Sequence, residues 1–592
     1  MQFLKYVLAT LVGLIVFSLL SFFIFLGFIS IASSGDKVTV KENSVLKIKL
    51  DKPIVERGRE NDPLASLTNS LSGTSGSVGL IQIRQAIADA KNDDNIKGIY
   101  LEPDMSGATA GYPMLEEIRA ALADFKKSKK FVVAYSEYYT EKSLFLVSVA
   151  DQIYLHPEGV VEWNGLNASA IFLKGTLDKL GVKPEIFKVG DYKSAVEPFL
   201  RKDMSDPNRE QTLSFLTSVN THLLQTVGTA RGISPATLKN LADSLTIREA
   251  ADAQQHKLVT SVGYADQVET AIKKLLKLEE KKKIEFITLA KYTKADSRDK
   301  SESGSSGNRI AVIIASGEIN SGDGSDETIG SERIAKALRK AREDDKIKAV
   351  VLRINSPGGS SLASDVMWRE VILTREKKPV VASMSDYAAS GGYYMAMGCD
   401  KIFAHPTTLT GSIGVFGLWF NVEALLNDKL GVTVDGVKTN TYADLGLPTH
   451  NMSDYERQWF QKRTEKVYEE FTRKAAEGRK MKQDDLKKIA SGRVWTGEQA
   501  KQNGLVDELG GLEQAIHAAA KLAKLKEDDY RLRYLPEQKS FLEELFDNSS
   551  ESVETRTLQK NLGLLAPYVK DIQKLKSWQG IQTRLPFELD IR

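Results

Sequence analysis

Apolar and polar positions fall into three regimes along the chain. From Tyr6 to Ala32 there are 27 residues without a charge, and at ~1.5 Å of rise per residue a helix of that length crosses the ~30 Å hydrocarbon core of a bilayer. The apolar stretch of a removable leader is only about 7 to 15 residues, so residues 1–35 are expected to be a short tip and an uncleaved transmembrane anchor. Lys5 and the amino terminus precede the run while Lys37 and Lys41 follow it, and flanking charge therefore leaves its orientation open. Further on, short apolar runs alternate with amphipathic stretches. The pattern predicts helix 333–342, strand 349–354, helix 363–375 and strand 379–384, the order expected of an α/β unit with largely parallel strands. Residues 291–308, rich in Lys, Asp, Ser and Gly, have no apolar periodicity and are expected to be a linker. Past 525 the pattern breaks, and residues 542–546 and 558–578 are expected to be helices of a peripheral extension, 526–592.

The two long patterned regions resemble each other. Asp93-Asp94-Asn95-Ile96-Lys97 recurs as Asp344-Asp345-Lys346-Ile347-Lys348, at an offset of 251. Asp151, followed by His156-Pro157, recurs as Asp400, followed by His405-Pro406, at 249, and Asp178-Lys179-Leu180-Gly181-Val182 recurs as Asp428-Lys429-Leu430-Gly431-Val432 at 250. Leu258-Val259 and Leu505-Val506 are 247 apart. Matches in one order at a nearly constant offset indicate a tandem duplication, with one repeat over 44–275 and the other over 309–525.

Composition narrows the partners and the chemistry. The chain's 81 basic and 78 acidic residues nearly cancel, to +3, so no global field argues for nucleic acid. A single cysteine, Cys399, excludes a disulfide within the chain and a zinc site built of cysteines. Gly322-Asp323-Gly324-Ser325-Asp326 lacks the rest of a calcium loop, and no phosphate-binding glycine loop is present. No metal or organic cofactor is expected.

Candidate chemistry collects at two places. After the predicted strand 379–384 the chain reads Asp386-Tyr387-Ala388-Ala389-Ser390-Gly391-Gly392. A serine at a strand-to-helix turn faces the free N–H groups of a helix start, which suit a developing oxyanion, although a helix-capping serine would look the same. Upstream, Ser356-Pro357-Gly358-Gly359 forms a Gly-rich turn suited to a second oxyanion donor or to an ordinary strand end. Each of the six histidines is a conceivable base, yet His405 is mirrored by His156, both before proline, and the others have no companion motif. The alternative base is a desolvated lysine. The repeat alignment singles out Lys193: it places Ser390 opposite Glu141, and Lys193 opposite Ala443, so each repeat keeps half of a Ser/Lys pair.

Ala388-Ala389-Ser390-Gly391-Gly392-Tyr393, Leu409-Thr410-Gly411-Ser412-Ile413-Gly414 and Tyr192-Lys193-Ser194-Ala195-Val196-Glu197-Pro198-Phe199, together with the anchor and the duplication, resemble the long form of signal peptide peptidase A, or protease IV. The resemblance implies two Clp protease/crotonase-like α/β repeats behind one transmembrane helix. It implies a serine endopeptidase with Ser390 as nucleophile, Lys193 as general base, Ser412 orienting the lysine, and Gly391 and Gly359 forming the oxyanion hole, with Gly358 setting the turn. It further implies a homotetramer, single-pass in the bacterial cytoplasmic membrane, its catalytic domains in the periplasm and its substrates signal peptide remnants. Two rival readings remain at this stage. An acyl-CoA enzyme on a crotonase-like scaffold would need a phosphate-binding patch and would not need Lys193, and a non-catalytic membrane scaffold would leave both residues incidental.

Overall fold

The computed structural model describes residues 5–7, 9–18, 20–21, 38–58, 76–103, 110–295, 307–526, 529–538 and 580–585. Residues 22–32 of the expected anchor lie outside them, and among the described residues no helix is long and apolar enough to cross a membrane. Residues 296–306 of the expected linker and both expected C-terminal helices, 542–546 and 558–578, also lie outside the described residues.

The fold is α/β, with one sheet per repeat, parallel throughout in the first and parallel in the second except for its edge strand Val494–Thr496, which runs antiparallel to Leu409–Gly411. In the first, strands run in the order Ser261–Val262, Gln152–Val161, Phe131–Tyr139, Ile96–Pro103, Ser44–Leu50 and Phe286–Thr288, each parallel to its neighbour. The second sheet repeats the scheme with Leu409–Gly411, Val380–Ala389, Ile347–Ser356, Arg309–Ser316 and Arg531–Leu535. Its central strands are apolar on both faces because both are covered. Leu352 and Ile313 pack on helix residues Leu338, Met367 and Val371, while Val312 and Val351 on the other face pack on Leu512, Ala515 and Ala519. The duplicated Asp-Lys-Leu-Gly-Val motif ends a helical turn in both repeats, with Gly181 and Gly431 in the left-handed conformation at φ 73° and 67°.

A third sheet joins the repeats and departs from the duplication. Lys183–Val189 of the first repeat runs antiparallel to Val415–Asn421 of the second, with Val189 opposite Val415. The matching segments, 165–171 and 433–439, form no strand.

Two expectations need correction. The strand expected over 379–384 continues to Ala389, because Ser385 and Asp386, polar enough to suggest an end, are buried in the contact between repeats. The extension 526–592 is not peripheral throughout. Arg531–Leu535 pairs with Arg309–Ser316, and Gly580–Arg584 lies between Gly358–Ser360 and Val415–Asn421 in the joining sheet. Segments of five residues carry no periodicity of their own, and their partners are more than 160 residues away in sequence, so neither pairing is visible locally.

Candidate active site

Ser390 stands where strand Val380–Ala389 gives way to helix Gly391–Ala396. Its φ of 52° is in the region that side chains with a Cβ rarely adopt, so the turn is strained and must be held. Two backbone bonds hold it: Ser390 N–H donates to Gly411 O at 2.8 Å, and Tyr394 N–H donates to Ser390 O at 2.8 Å. Gly391 N–H then belongs to the first helical turn, where amides have no intrahelical acceptor. Four residues upstream, Asp386 anchors the strand to the first repeat by accepting from Gly111 N–H at 2.9 Å and Met114 N–H at 3.1 Å. Burial pushes its carboxyl up to about 6, against the pull of those two bonds.

Lys193 arrives from the other repeat. Past Val189 the chain turns at Gly190, and the turn is clamped from the second repeat by Ser491, whose carbonyl accepts from Tyr192 N–H at 3.1 Å and whose hydroxyl accepts from Asp191 N–H at 3.1 Å. Gly492, at φ 81°, lies against the lysine so closely that a Cβ there would fall 2.7 Å from the Lys193 Cβ, so only glycine fits. Gln211 bridges the two sides, donating to Tyr192 O at 3.0 Å and accepting from Val494 N–H at 3.1 Å.

These restraints bring the lysine amine to the serine. Lys193 Nζ lies 2.9 Å from Ser390 Oγ, 3.0 Å from Ser412 Oγ and 3.2 Å from Ser412 O. All three residues have zero exposure. Burial drives the lysine well below its ordinary value of 10.5, and no carboxylate opposes the shift. A neutral amine has two hydrogens and one lone pair. Donation to the two Ser412 oxygens uses the hydrogens and leaves the lone pair for the Ser390 hydroxyl.

Of the oxyanion candidates, Gly358–Ser360 is a buried strand rather than the open turn expected. Gly358 (φ 103°) packs against the nucleophile's turn, and a Cβ on it would fall 2.9 Å from Gly391 N. The Gly359 N–H is on the edge paired with Gly580–Arg584.

No histidine is a hydrogen-bond partner of Ser390 among the described residues. His405 lies 3.3 Å from Glu117 and 3.6 Å from Glu116. Burial opposes its charge, but those carboxylates hold its ring up at about 9, a structural ion pair. At the positions matching the pair, Glu141 accepts from the Asn164 and Gly165 amides at 2.8 and 2.9 Å, while Ala443 belongs to an exposed turn. Sequence reasoning missed Ser491, Gly492 and Gln211; their one signal is a Ser-Gly turn and a polar residue within a helix, neither tied to any motif.

Comparison with known proteins gives matches in both repeats. The model of peptidase family S49 matches residues 124–279 and again 372–526. Protease 4 of Salmonella typhi is 37% identical over 579 residues, which cover 94% of this chain and 91% of its own. The chloroplastic serine protease SPPA of Arabidopsis thaliana is 36% identical over 493 residues, covering 82% of this chain and 70% of its own. Among solved structures, a ClpP1 variant from Listeria monocytogenes aligns with 35% of this chain and 94% of its own, at 16% identity and a TM-score of 0.24, too slight a likeness to bear on the fold.

Proposed function

The chain belongs to peptidase family S49, as the long two-repeat form of signal peptide peptidase A, and is a serine peptidase; from that premise we propose that it is a Ser/Lys-dyad endopeptidase of the bacterial cytoplasmic membrane that degrades signal peptide remnants. The observation carrying the dyad is the 2.9 Å contact between Lys193 Nζ and Ser390 Oγ in a site closed to solvent. The neutral amine takes the Ser390 proton as the oxygen attacks a peptide carbonyl, and the oxyanion forms beside the Gly391 and Gly359 amides. Lys193, now charged, gives its proton to the leaving amine. Lys193 next activates the water that releases the acyl group.

Ser412 holds the amine, so Ser412→Ala should lower kcat about 10- to 100-fold. It should also move the rising limb of the pH–rate profile, with KM little changed. An unchanged limb would deny Ser412 its positioning role.

The anchor, Tyr6–Ala32, would hold two Clp protease/crotonase-like repeats on the periplasmic face and deliver apolar, extended substrates from the bilayer. A homotetramer is supported by the half-used joining sheet. Segments 165–171 and 433–439 are unpaired among the described residues, and Ile171, Val434 and Val437 are largely exposed. A neighbouring copy pairing one with the other would continue the arrangement head to tail until a ring closes.

The deciding experiment uses the full chain in proteoliposomes with a synthetic signal peptide in the bilayer. Cleavage that requires Ser390 and exceeds that of a soluble peptide of equal length is expected. Turnover of the soluble peptide alone would leave a serine peptidase but remove the membrane substrate. The crotonase-like acyl-CoA reading is disfavoured by the lysine at the nucleophile, for which that chemistry has no use.

A further inference from the structure

The strand that delivers the nucleophile leaves one of its neighbours just before it arrives. Ile354 faces Met384 and Ser356 faces Ala388, so four steps of strand Val380–Ala389 oppose two of strand Ile347–Ser356. Residues 385–387 bulge away from that neighbour and are tied down by side chains. Asn355 Oδ1 accepts from Tyr387 N–H at 3.2 Å, and Thr408 Oγ1 donates to Ser385 O at 2.8 Å. Between them the buried Asp386 reaches into the other repeat. It accepts from the N–H groups of Gly111 and Met114, the N-cap and third residues of helix Tyr112–Lys126, which are the two amides that a capping box would satisfy. Gly111 has no side chain with which to cap the helix itself, and the three atoms nearest to a Cβ on it would be those of the Asp386 carboxyl group, at 2.4 to 2.8 Å. The helix is thus capped across the repeat boundary by the strand that carries Ser390.

The same helix leads on to the base. Its Glu116 lies 3.2 Å from His222 on helix Asp206–Arg231, and Gln211 of that second helix donates to Tyr192 O at 3.0 Å and to Ser194 Oγ at 2.9 Å, on either side of Lys193. We propose that Asp386 is a positioning residue for the dyad: by capping helix Tyr112–Lys126 in trans, its carboxylate fixes the Ser390 strand against the element that carries the Lys193 turn. This rests on the Ser390/Lys193 reading of the site and adds a group that touches neither residue. A shift of ~1 Å between reacting groups costs on the order of 100-fold in rate, so a tie four residues from the nucleophile matters to turnover. A proton on Asp386 leaves one good accepting oxygen for two amides, and burial, which holds that carboxyl up at about 6, brings the release into a measurable range. Glu56 and Arg353 act on it directly, in opposite directions; Glu116, Glu117, Arg84 and His405 are paired with one another or with Arg353.

Asp386→Ala should lower kcat on a quenched peptide about 100-fold with KM little changed, and should lower the thermal midpoint of the full chain. Adding Gly111→Asp separates the two effects. The vacated space admits the new side chain, whose carboxylate caps Met114 N–H within its own helix, but nothing then crosses to the Ser390 strand. The double variant should regain the midpoint and stay slow; recovery of kcat together with the midpoint overturns the inference, because capping alone would then suffice. Where the double variant does not regain the midpoint, Asp386→Asn, of the same shape, decides through its pH profile. In the parent both Lys193 and Asp386 must lose a proton, so log kcat/KM should climb with pH toward a slope of about two on the acid side, and toward about one in Asp386→Asn. Equal slopes overturn the inference. Equal slopes beside an inactive Ser390→Ala would remove only the role of Asp386, whereas turnover retained in Ser390→Ala would remove the dyad on which it rests.

Discussion

Lys193→Met should reduce peptidase turnover by roughly 10^4-fold, the size of effect seen when a general base is removed from a hydroxyl nucleophile, and should yield a protein at least as stable as the parent. Activity falls because Ser390 keeps its turn, which is held by backbone bonds to Gly411 and Tyr394, but loses the lone pair that takes its proton. Stability rises because methionine fills a similar volume with no amine to desolvate. The gain has a pH signature with a definite sign. The folded-state value of Lys193 lies well below 10.5, so between that value and 10.5 the unfolded chain binds the extra proton and parent stability rises with pH. The advantage of Lys193→Met is therefore largest below the folded-state value and shrinks by about 1.4 kcal/mol per pH unit toward 10.5. Urea unfolding of both proteins from pH 6 to 10, beside their rates, tests both halves. A stability difference that does not change with pH would mean that the amine is not desolvated. A surface lysine would show neither effect. Ser390→Ala, by contrast, should abolish turnover and fluorophosphonate labelling while leaving that pH dependence of stability in place.

Much of this site was legible because duplication converts a distant pair into a local comparison. Ser390 and Lys193 are 197 residues apart, a separation over which side-chain chemistry says nothing, but placing one repeat on the other exposed two complementary vacancies, at Glu141 and Ala443. The alternation of strand and helix was equally legible, since parallel strands covered on both faces are continuous apolar runs. What escaped was non-local and made largely by backbone. Ser491 clamps the lysine turn through its carbonyl as well as its hydroxyl, Gly492 acts by lacking a Cβ, and Gly580–Arg584 is too short to show a period. The joining sheet was invisible for a further reason. It breaks the internal symmetry, pairing 183–189 with 415–421 and leaving their counterparts unpaired, so the repeat comparison that located the dyad pointed away from it.

Arg353 was also missed, and its removal should cost more stability than any other single change considered. It sits in the apolar strand Ile347–Ser356 with zero exposure, and it ties the second repeat to the first through buried ion pairs. Its Nε contacts Glu56 Oε2 at 2.8 Å and its Nη1 contacts Glu117 Oε1 at 2.7 Å, while Ser383 Oγ also accepts from Nη1 and Ser385 Oγ accepts from Nη2, each at 3.0 Å. Glu117 also pairs with Arg84 at 3.0 Å. Such a network adds little over apolar packing when complete, yet breaking it leaves charge stranded, so Arg353→Met should destabilise by roughly 3 to 5 kcal/mol. Burial works to raise the Glu117 carboxyl, but Arg353 and Arg84 hold it well below 4.5, and in the parent it stays ionised down to the acid range. Without Arg353, burial gains ground over the remaining partners and the folded-state value rises. A carboxyl whose folded value exceeds its unfolded one regains stability as the pH falls through that folded value. The deficit of Arg353→Met relative to the parent should accordingly narrow between pH 7 and 5, and Glu56→Gln in the same chain should recover part of it at pH 7. Thermal unfolding of the three proteins at both pH values checks this, and a deficit equal at the two pH values would mean that lost packing, and not stranded charge, is what Arg353 prevents.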